Sequence, residues 1–544
     1  MKWKTLFHKF LPGKKKNKNK VYDLEDVNID EREEIVQNMK IKKSLDKKID
    51  DITGLFGNIL ALSIRRLEIT EKEIETAVVF MSGLSDTQAI QEIIEALQIK
   101  LLHIRKKEKK DLVQDISKRA LNNKDVLICK DFGKVLKNIT MGSAAILIDG
   151  IDEIILCETK GFEVRNISEP ENEMMLRGPR DGFVENIFTN TSLIRQRIRI
   201  PHLWIEGFEK GSLSKVNVAI AYIKGLASEE LVEEVRARIE KIDIDAVLES
   251  GYIEEYIIDQ KYTIFPQVKR TERPDKVISS LLEGKVSILI EGTPFVLILP
   301  VTFEFFLQAP DDYYEPFPIG SFIRFLRYTA YFFSILLPGI YVAILNYHSE
   351  LLPVELLMRI SATREGIPFP VIIEALIMES LFEILREAGI RLPKAIGQAV
   401  SIVGALILGE AAVNAGLASP PMIIVVALTA ISSFTVPDFS FGIAARLLRF
   451  IFLFFGGILG LFGVQFGVFY LLIHLCALRS FGQPYFQPFG PLIWQDLKDG
   501  LIRLPWWLMI KRPKLIAGQA EKRQQKGQGP KRPTASKGEI DDEK

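Results

Sequence analysis

The residues of this 544-residue chain that could do chemistry are carboxylates set in apolar surroundings. The stretch "PFPVIIEALIMESLFEILREAG", residues 368–389, has the length and apolar content of a membrane-spanning helix. It also carries Glu374, Glu379, Glu383, Arg386 and Glu387. On a helical wheel, Glu379, Glu383, Arg386 and Glu387 share an arc about 100° wide, while Ile373, Ile377, Leu381 and Ile384 lie outside it. Ile372 and Leu376 fall within the arc and Glu374 lies elsewhere, so the polar face belongs to the C-terminal half. Four charges facing lipid would each cost ~2.5–3.5 kcal/mol, which excludes a lone lipid-facing span. Two readings stay open. The helix lies in the interface as a surface helix, or its polar arc faces water inside an assembly of several chains or pairs with charges on neighbours. In the second reading, a ring of Glu379 or Glu383 side chains would attract cations, as acidic rings do in cation channels.

A further carboxylate, Glu410, sits in "GQAVSIVGALILGEAAVNAG". Gly397, Ser401, Ala405 and Gly409 repeat every fourth residue there, the small-xxx-small pattern that lets helices approach closely. Glu410 falls about 160° from the centre of that stripe, on the side of Val403, Leu406 and Asn414. One face therefore packs on a helix, and the other presents an ionisable group in or near a bilayer, a functional candidate by default. The alternatives for Glu410 are an interfacial position or a fixed pair with an arginine such as Arg446.

Other chemistry finds no support. There is no Walker A motif, no GxGxxG after a strand and no GxSxG elbow; the five histidines are scattered. His474, inside the last apolar run, reads as a structural hydrogen-bonding group. Cys129, Cys157 and Cys476 fall in no metal-binding spacing and give no sign of a disulfide framework. No enzymatic role, cofactor, metal or nucleic-acid partner is expected. The densest polar cluster is "RGPRDGFVENIFTNTSLIRQRIR", residues 177–199, a Gly-Pro turn leading into a helix with Arg195, Arg197 and Arg199. Arg177, Arg180 and Arg195 are candidates for contact with another subunit or an anion; the competing reading is a solvated helix with internal ion pairs.

The elements that position these residues follow from the distribution of charge. The first twenty residues hold eight lysines and no acid, and the tail from Lys511 has ten Lys/Arg against five acids. Between Leu326 and Leu478 charge is sparse. "LFHKFLP" is too short and interrupted for the apolar region of a signal peptide, so the first crossing is expected some three hundred residues in. A span needs ~20 mostly apolar residues, and four segments qualify: 328–347, 395–417, 420–437 and 450–478. The last runs twenty-nine residues without a charge, so it must tilt, loosen or split at its glycines, Gly456, Gly457, Gly460, Gly463 and Gly467. Basic segments at both ends argue for an even number of crossings with both termini cytoplasmic. The helix at 370–388 is the odd element.

Upstream, "LSIRRLEI", "TAVVFMSG", "DVLIC" and "AAILIDG" read as strands, with a helix at 86–102 capped by Ser85. "LWIEGF" and "KVNVAIAYI" begin a second such run, followed by a helix at 228–242. "AILIDGIDEIIL" at Ala145 recurs as "SILIEGTPFVLI" at Ser287, an offset of 142 residues, and describes a duplicated edge hairpin. The fold class is an α/β soluble N-terminal region of two subdomains followed by an α-helical multi-pass membrane domain. The expected division is a basic tail and linker helix (1–55), subdomains at 56–200 and 201–318, a membrane domain at 319–490 and a basic tail at 491–544.

"REGIPFPVIIEALIMESLFEILREAGIRLPKAIGQAVSIVGALILGEAAV", "RGPRDGFVENIFTNTSLIRQRIR" and "LLIHLCALRSFGQPYFQPF" together resemble the GerA family of spore germination proteins, the A subunits of nutrient germinant receptors. The resemblance runs from about Leu62 to Pro491. It implies a protein of the inner membrane of a dormant endospore, partnered by a permease-like B subunit and a lipoprotein C subunit. It also implies a homo-oligomer, a pentamer, around a path that releases monovalent cations when the nutrient binds. On that reading Val403 and Leu406 form an apolar constriction beside Glu379, Glu383 and Glu410. A non-conducting scaffold is the first alternative and a secondary transporter the second, although no inverted repeat of spans is found.

Overall fold

The computed structural model describes residues 36, 39–57, 61–69, 74–99, 113–114, 116–117, 125–161, 169–170, 173, 175, 177–392, 409–518 and 522–530. The expected small-residue stripe and constriction, Gly397, Ser401, Val403, Ala405 and Leu406, lie outside the described residues.

Helix α1 (Leu45–Phe56) precedes strands β1 (Leu62–Ile69) and β2 (Ile74–Met81), helix α2 (Thr87–Ile99), strand β3 (Val126–Cys129), helix α3 (Phe132–Thr140) and strands β4 (Ala144–Ile148) and β5 (Ile154–Cys157). The strands form one antiparallel sheet in the order β1-β2-β4-β5-β3. Every residue of β4 and β5 is buried, as expected of strands covered on both faces. Helix α1 is more than a linker: Ile49, Ile52 and Phe56 pack into the core with Ala77, Val79, Leu147 and Val135. Helix α2 is capped by Asp86, whose Oδ1 accepts from the Gln88 amide at 2.8 Å. Ser85, the expected cap, instead donates to the Gly142 carbonyl.

The second sheet repeats the first. Helix α4 (Ile187–Arg197) leads to β6 (Leu203–Lys210), β7 (Val216–Ile223), α5 (Glu229–Glu240), α6 (Ser250–Ile257), β8 (Lys269–Thr271), α7 (Pro274–Leu282), β9 (Val286–Ile290) and β10 (Val296–Leu299). The order β6-β7-β9-β10-β8 matches position by position. Ala144 and Val286, Ile154 and Val296, and Phe132 and Pro274 each open equivalent elements 142 residues apart. Register is conserved as well: Val78 faces Ile146 as Ile220 faces Ile288, and Cys129 faces Ile154 as Thr271 faces Val296. The hairpin seen in the sequence is therefore one piece of a duplicated unit, and it lies inside each sheet rather than at its edge. Helix α4 packs with the second sheet, since Ile187, Leu193 and Ile194 share a core with Leu203, Leu289 and Ile298. The second core thus takes in residues on the N-terminal side of the boundary expected at residue 200.

Short helices α8 (Phe303–Leu307) and α9 (Asp311–Tyr314) join this sheet to a helical region of α10 (Phe317–Tyr347), α11 (Val354–Arg364), α12 (Val371–Arg391), α13 (Pro420–Phe434) and α14 (Phe439–Ala477). Among the described residues, α10 and α14 are long and apolar enough to cross a membrane; α13, at 15 residues, is shorter than expected for a span.

Helix α14 is broken at Gly460, whose φ of 65° lies in the left-handed region that only glycine enters cheaply. The halves then fold back on each other, because a Cβ at Gly467 would meet the Phe452 ring at 2.8 Å. Both free ends return to the second sheet: Phe441 lies 6.0 Å from Phe265, and His474 Nε2 is 3.0 Å from Thr263 Oγ1. Helix α10 starts at the same sheet-proximal end, where Arg324 and Arg327 bind Asp312. It finishes at the distal bend, where Tyr347 Oη donates to the Gly457 carbonyl at 3.1 Å. Between these points the two backbones touch, since a Cβ at Gly339 would lie 2.6 Å from the Phe452 carbonyl oxygen.

Candidate functional site

Helix α12 begins at the distal end, where Ile372 packs on Gly457, and runs toward the sheets, where Arg386 donates to Ser433 Oγ at 3.1 Å. Its polar arc therefore traverses the helical layer instead of lying on it, and its charges find partners on α14. Arg449 Nη1 donates to Glu379 Oε2 at 2.6 Å, and both side chains are fully buried. Arg449 Nε donates to the Ser334 carbonyl of α10 at 2.9 Å. Arg446 Nη1 donates to Glu383 Oε2 at 3.0 Å, and Glu383 Oε1 lies 3.6 Å from Arg449. Arg386 stacks over Phe434 of α13. Two acids and two bases thus cancel within a layer shared by α10, α12 and α14.

Of the readings open for this helix, pairing with charges on neighbours is the one met within the chain, Glu379 with Arg449 and Glu383 with Arg446. Arg446, named as one possible partner for Glu410, is held by Glu383. Glu410 lies on a helical turn at 409–414 and is exposed, with Gly409 beside it facing Ile423 of α13. Sequence reasoning set Glu374 apart from the arc but gave it no partner. It is fully buried at the distal end, accepts from Ser419 N at 2.7 Å and Oγ at 2.6 Å, and sits 3.5 Å from Arg364. A signal was present: Glu374 lies off the polar arc, so it had to find its own partner.

The arginine cluster divides. Arg177 and Arg180 are exposed and face Glu315 at 3.7 Å and Glu169 at 3.2 Å. Arg197 forks onto Asp181 at 2.6 and 2.7 Å. Arg195 is a core residue: it is buried, its Nη2 donates to the Leu203 carbonyl at 3.2 Å, and burial pushes its guanidinium down to about 10. It cannot be a subunit contact. Its Nε and Nη1 donate to nothing among the described residues, so an apolar chain of similar volume removes a desolvated charge and gives up one hydrogen bond to a carbonyl. Arg195→Met is accordingly expected to leave Tm unchanged or raise it, measured by thermal unfolding of the full chain in detergent; a fall of several degrees would contradict this.

The model of the GerA family, "Bacillus/Clostridium GerA spore germination protein", matches residues 50–515. The chain belongs to the GerA family. It is 45% identical to spore germination protein KA of Bacillus subtilis (strain 168) over 92% of this chain and 91% of that protein. It is 37% identical to spore germination protein GerLA of Bacillus cereus, over 88% and 96%. A solved structure, the N-terminal domain of the A subunit of the Bacillus megaterium spore germinant receptor GerK3, is 31% identical. It covers 49% of this chain and 98% of its own, with a TM-score of 0.38.

Proposed function

We propose that this chain is the A subunit of a nutrient germinant receptor in the inner spore membrane. In this reading it works with a permease-like B subunit and a lipoprotein C subunit, and it oligomerises around a nutrient-gated path for monovalent cations. Membership of the GerA family is the observation that carries the receptor role. The helix directions support a multi-pass arrangement. Helices α10 and the first half of α14 run away from the sheets, and α12, α13 and the second half of α14 run back. The helical region starts and ends near the sheets, at Arg324 on α10 and His474 on α14, which places both of its ends on one side, the cytoplasmic side by the charge of the termini.

The exposed Glu410 beside Gly409 supports a path formed between chains, because an outward carboxylate in apolar sequence needs water or a neighbour. The neutralised Glu379 and Glu383 favour the second reading, a relay that transmits nutrient binding without conducting.

Nutrient-triggered cation efflux from spores separates the two. Glu410→Gln is expected to lower flux at least several-fold, with the receptor assembled and at normal abundance. Unchanged efflux would leave the relay reading in place. Glu383→Gln is expected to act through assembly, by freeing Arg446, so receptor abundance should fall along with flux.

A further inference from the structure

Beyond α14 the chain runs along the sheet-proximal ends of both long apolar helices. A Cβ at Gly490 would lie 3.1 Å from Cys476 Sγ at the end of α14. Further on, Ser321 Oγ of α10 donates to the Arg503 carbonyl at 2.9 Å, and the Phe317 and Trp507 rings sit 6.2 Å apart. The segment thus passes from one helix end to the other.

Residues 500–510 read "GLIRLPWWLMI", with a single charge, in a tail that is otherwise basic. That charge turns inward. Arg503 is 3% exposed, its Nη1 donates to the Glu315 carbonyl at 3.0 Å, and its guanidinium lies 5.6 and 5.7 Å from the centres of the Tyr313 and Trp506 rings. What faces outward is apolar: Leu501, Ile502, Trp506 and Leu508 are exposed, as are Leu492 and Trp494 before them, Trp494 by 78%. A contiguous apolar surface of this kind marks an interaction site.

The neighbouring surfaces identify the occupant. On α10, Phe322 and Phe325 are exposed while Arg324 and Arg327 are buried, and on α14 Tyr470 and Ile473 are exposed. These outward faces belong to the two helices long and apolar enough to cross a membrane, and the segment adjoins both where they end. Tryptophan suits that level, because its ring is apolar and its indole N–H polar. Three of the chain's five tryptophans are Trp494, Trp506 and Trp507.

We propose that residues 492–508 lie in the headgroup boundary of the sheet-side lipid leaflet, as a surface element that fixes the second sheet to the bilayer. It rests on the reading of α10 and α14 as membrane-crossing helices. The fastening to the sheet is explicit: Gly518 N donates to the Leu226 carbonyl and Arg512 Nε to the Leu282 carbonyl, both at 2.8 Å. Asp499 ties the segment to α10 by accepting from Arg324 at 3.0 Å. A shift of the second sheet relative to the leaflet must therefore drag this segment through lipid or break these bonds.

The test is nitroxide accessibility on the full chain in vesicles of phosphatidylcholine and phosphatidylglycerol in equal parts, with the three native cysteines replaced. Oxygen concentrates among acyl chains and a nickel chelate stays in water, so their ratio reports depth. Labels go one at a time on Trp494→Cys, Ile502→Cys, Phe454→Cys on the exposed side of α14, and Lys130→Cys on the first sheet. The labels at 494 and 502 are expected about 5–10 Å inside the headgroup boundary, with 454 deeper and 130 in water. A deep label at 454 with 494 and 502 as open to nickel as 130 would overturn the inference and leave the crossing helices intact. Low access to both reagents at 494 and 502 would also overturn it, because a protein chain rather than lipid would then cover the patch. All four labels in water would overturn this inference and the membrane reading together. Both patch sites are exposed, so either decides the matter if the label at the other disturbs the chain.

Discussion

Arg449→Met is expected to remove most of the folded chain. The substitution keeps the volume of the side chain and leaves Glu379 fully buried with no cation in contact at 2.6 Å. Breaking one side of a buried pair costs about 3–5 kcal/mol, because the remaining charge keeps its desolvation penalty and loses its compensation. Arg449 also donates to the Ser334 carbonyl on α10, so its loss frees a backbone acceptor as well. The pair as a whole contributes much less than that figure, since desolvating two ions offsets most of their attraction. The double variant Arg449→Met/Glu379→Leu should therefore recover a large part of the lost stability. Abundance of the full chain in cells that express it and its Tm in detergent are the measurements. If the single variant matches the parent in both, the layer does not hold the helices together. If the double variant is as poor as the single, packing rather than charge is the cause.

Gly456→Ala comes second in expected effect. A Cβ at Gly456 would collide with the Gly339 carbonyl oxygen and lie 2.9 Å from its carbon, and the reciprocal Cβ at Gly339 would strike the Phe452 carbonyl. Backbone cannot swing aside as a side chain can, so one methyl must push α10 and α14 apart. Overpacking of this kind costs about 1–3 kcal/mol. Gly442→Ala is the control: it lies on α14 with nothing within 4 Å of the added atom. Where a helix position has room for the methyl group, Ala is preferred to Gly by up to about 1 kcal/mol. Parent-like or higher Tm is expected for Gly442→Ala and a drop of several degrees for Gly456→Ala. Equal behaviour of the two would show that backbone contact at Gly339 is not what sets the helix spacing.

Much of this architecture was legible before any coordinate. The strands β4, β5, β9 and β10 announce themselves as short apolar runs bounded by turn residues, since a strand covered on both faces carries no alternation. The hairpin at Ala145 and its copy at Ser287 carry the offset that relates the two sheets. The remaining equivalences, such as Phe132 with Pro274, share no residues that a comparison of short strings would notice; they share burial and register, which are properties of the fold. The helix at 370–388 was legible as a helix with a charged arc, because periodicity alone places Glu379, Glu383 and Arg386 on one side.

The sequence by itself determined the division into an α/β half and an apolar helical half, the duplication, the family and the fact that α12 could not face lipid. Tertiary structure alone decided where the charges went. Glu379 meets Arg449 across 70 positions of chain, and no period of 2 or 3.6 residues reaches that far. It also decided which of five glycines in the last apolar run breaks the helix. All five are permissive, but only Gly460 lies at the bend where the second half turns back on Phe452. Arg195 shows the same limit from the other side: spacing placed it with Arg197 on one polar helix, and packing against the second sheet buried it. Local periodicity reports what each element can present, and which face is covered depends on neighbours that only the folded chain brings close.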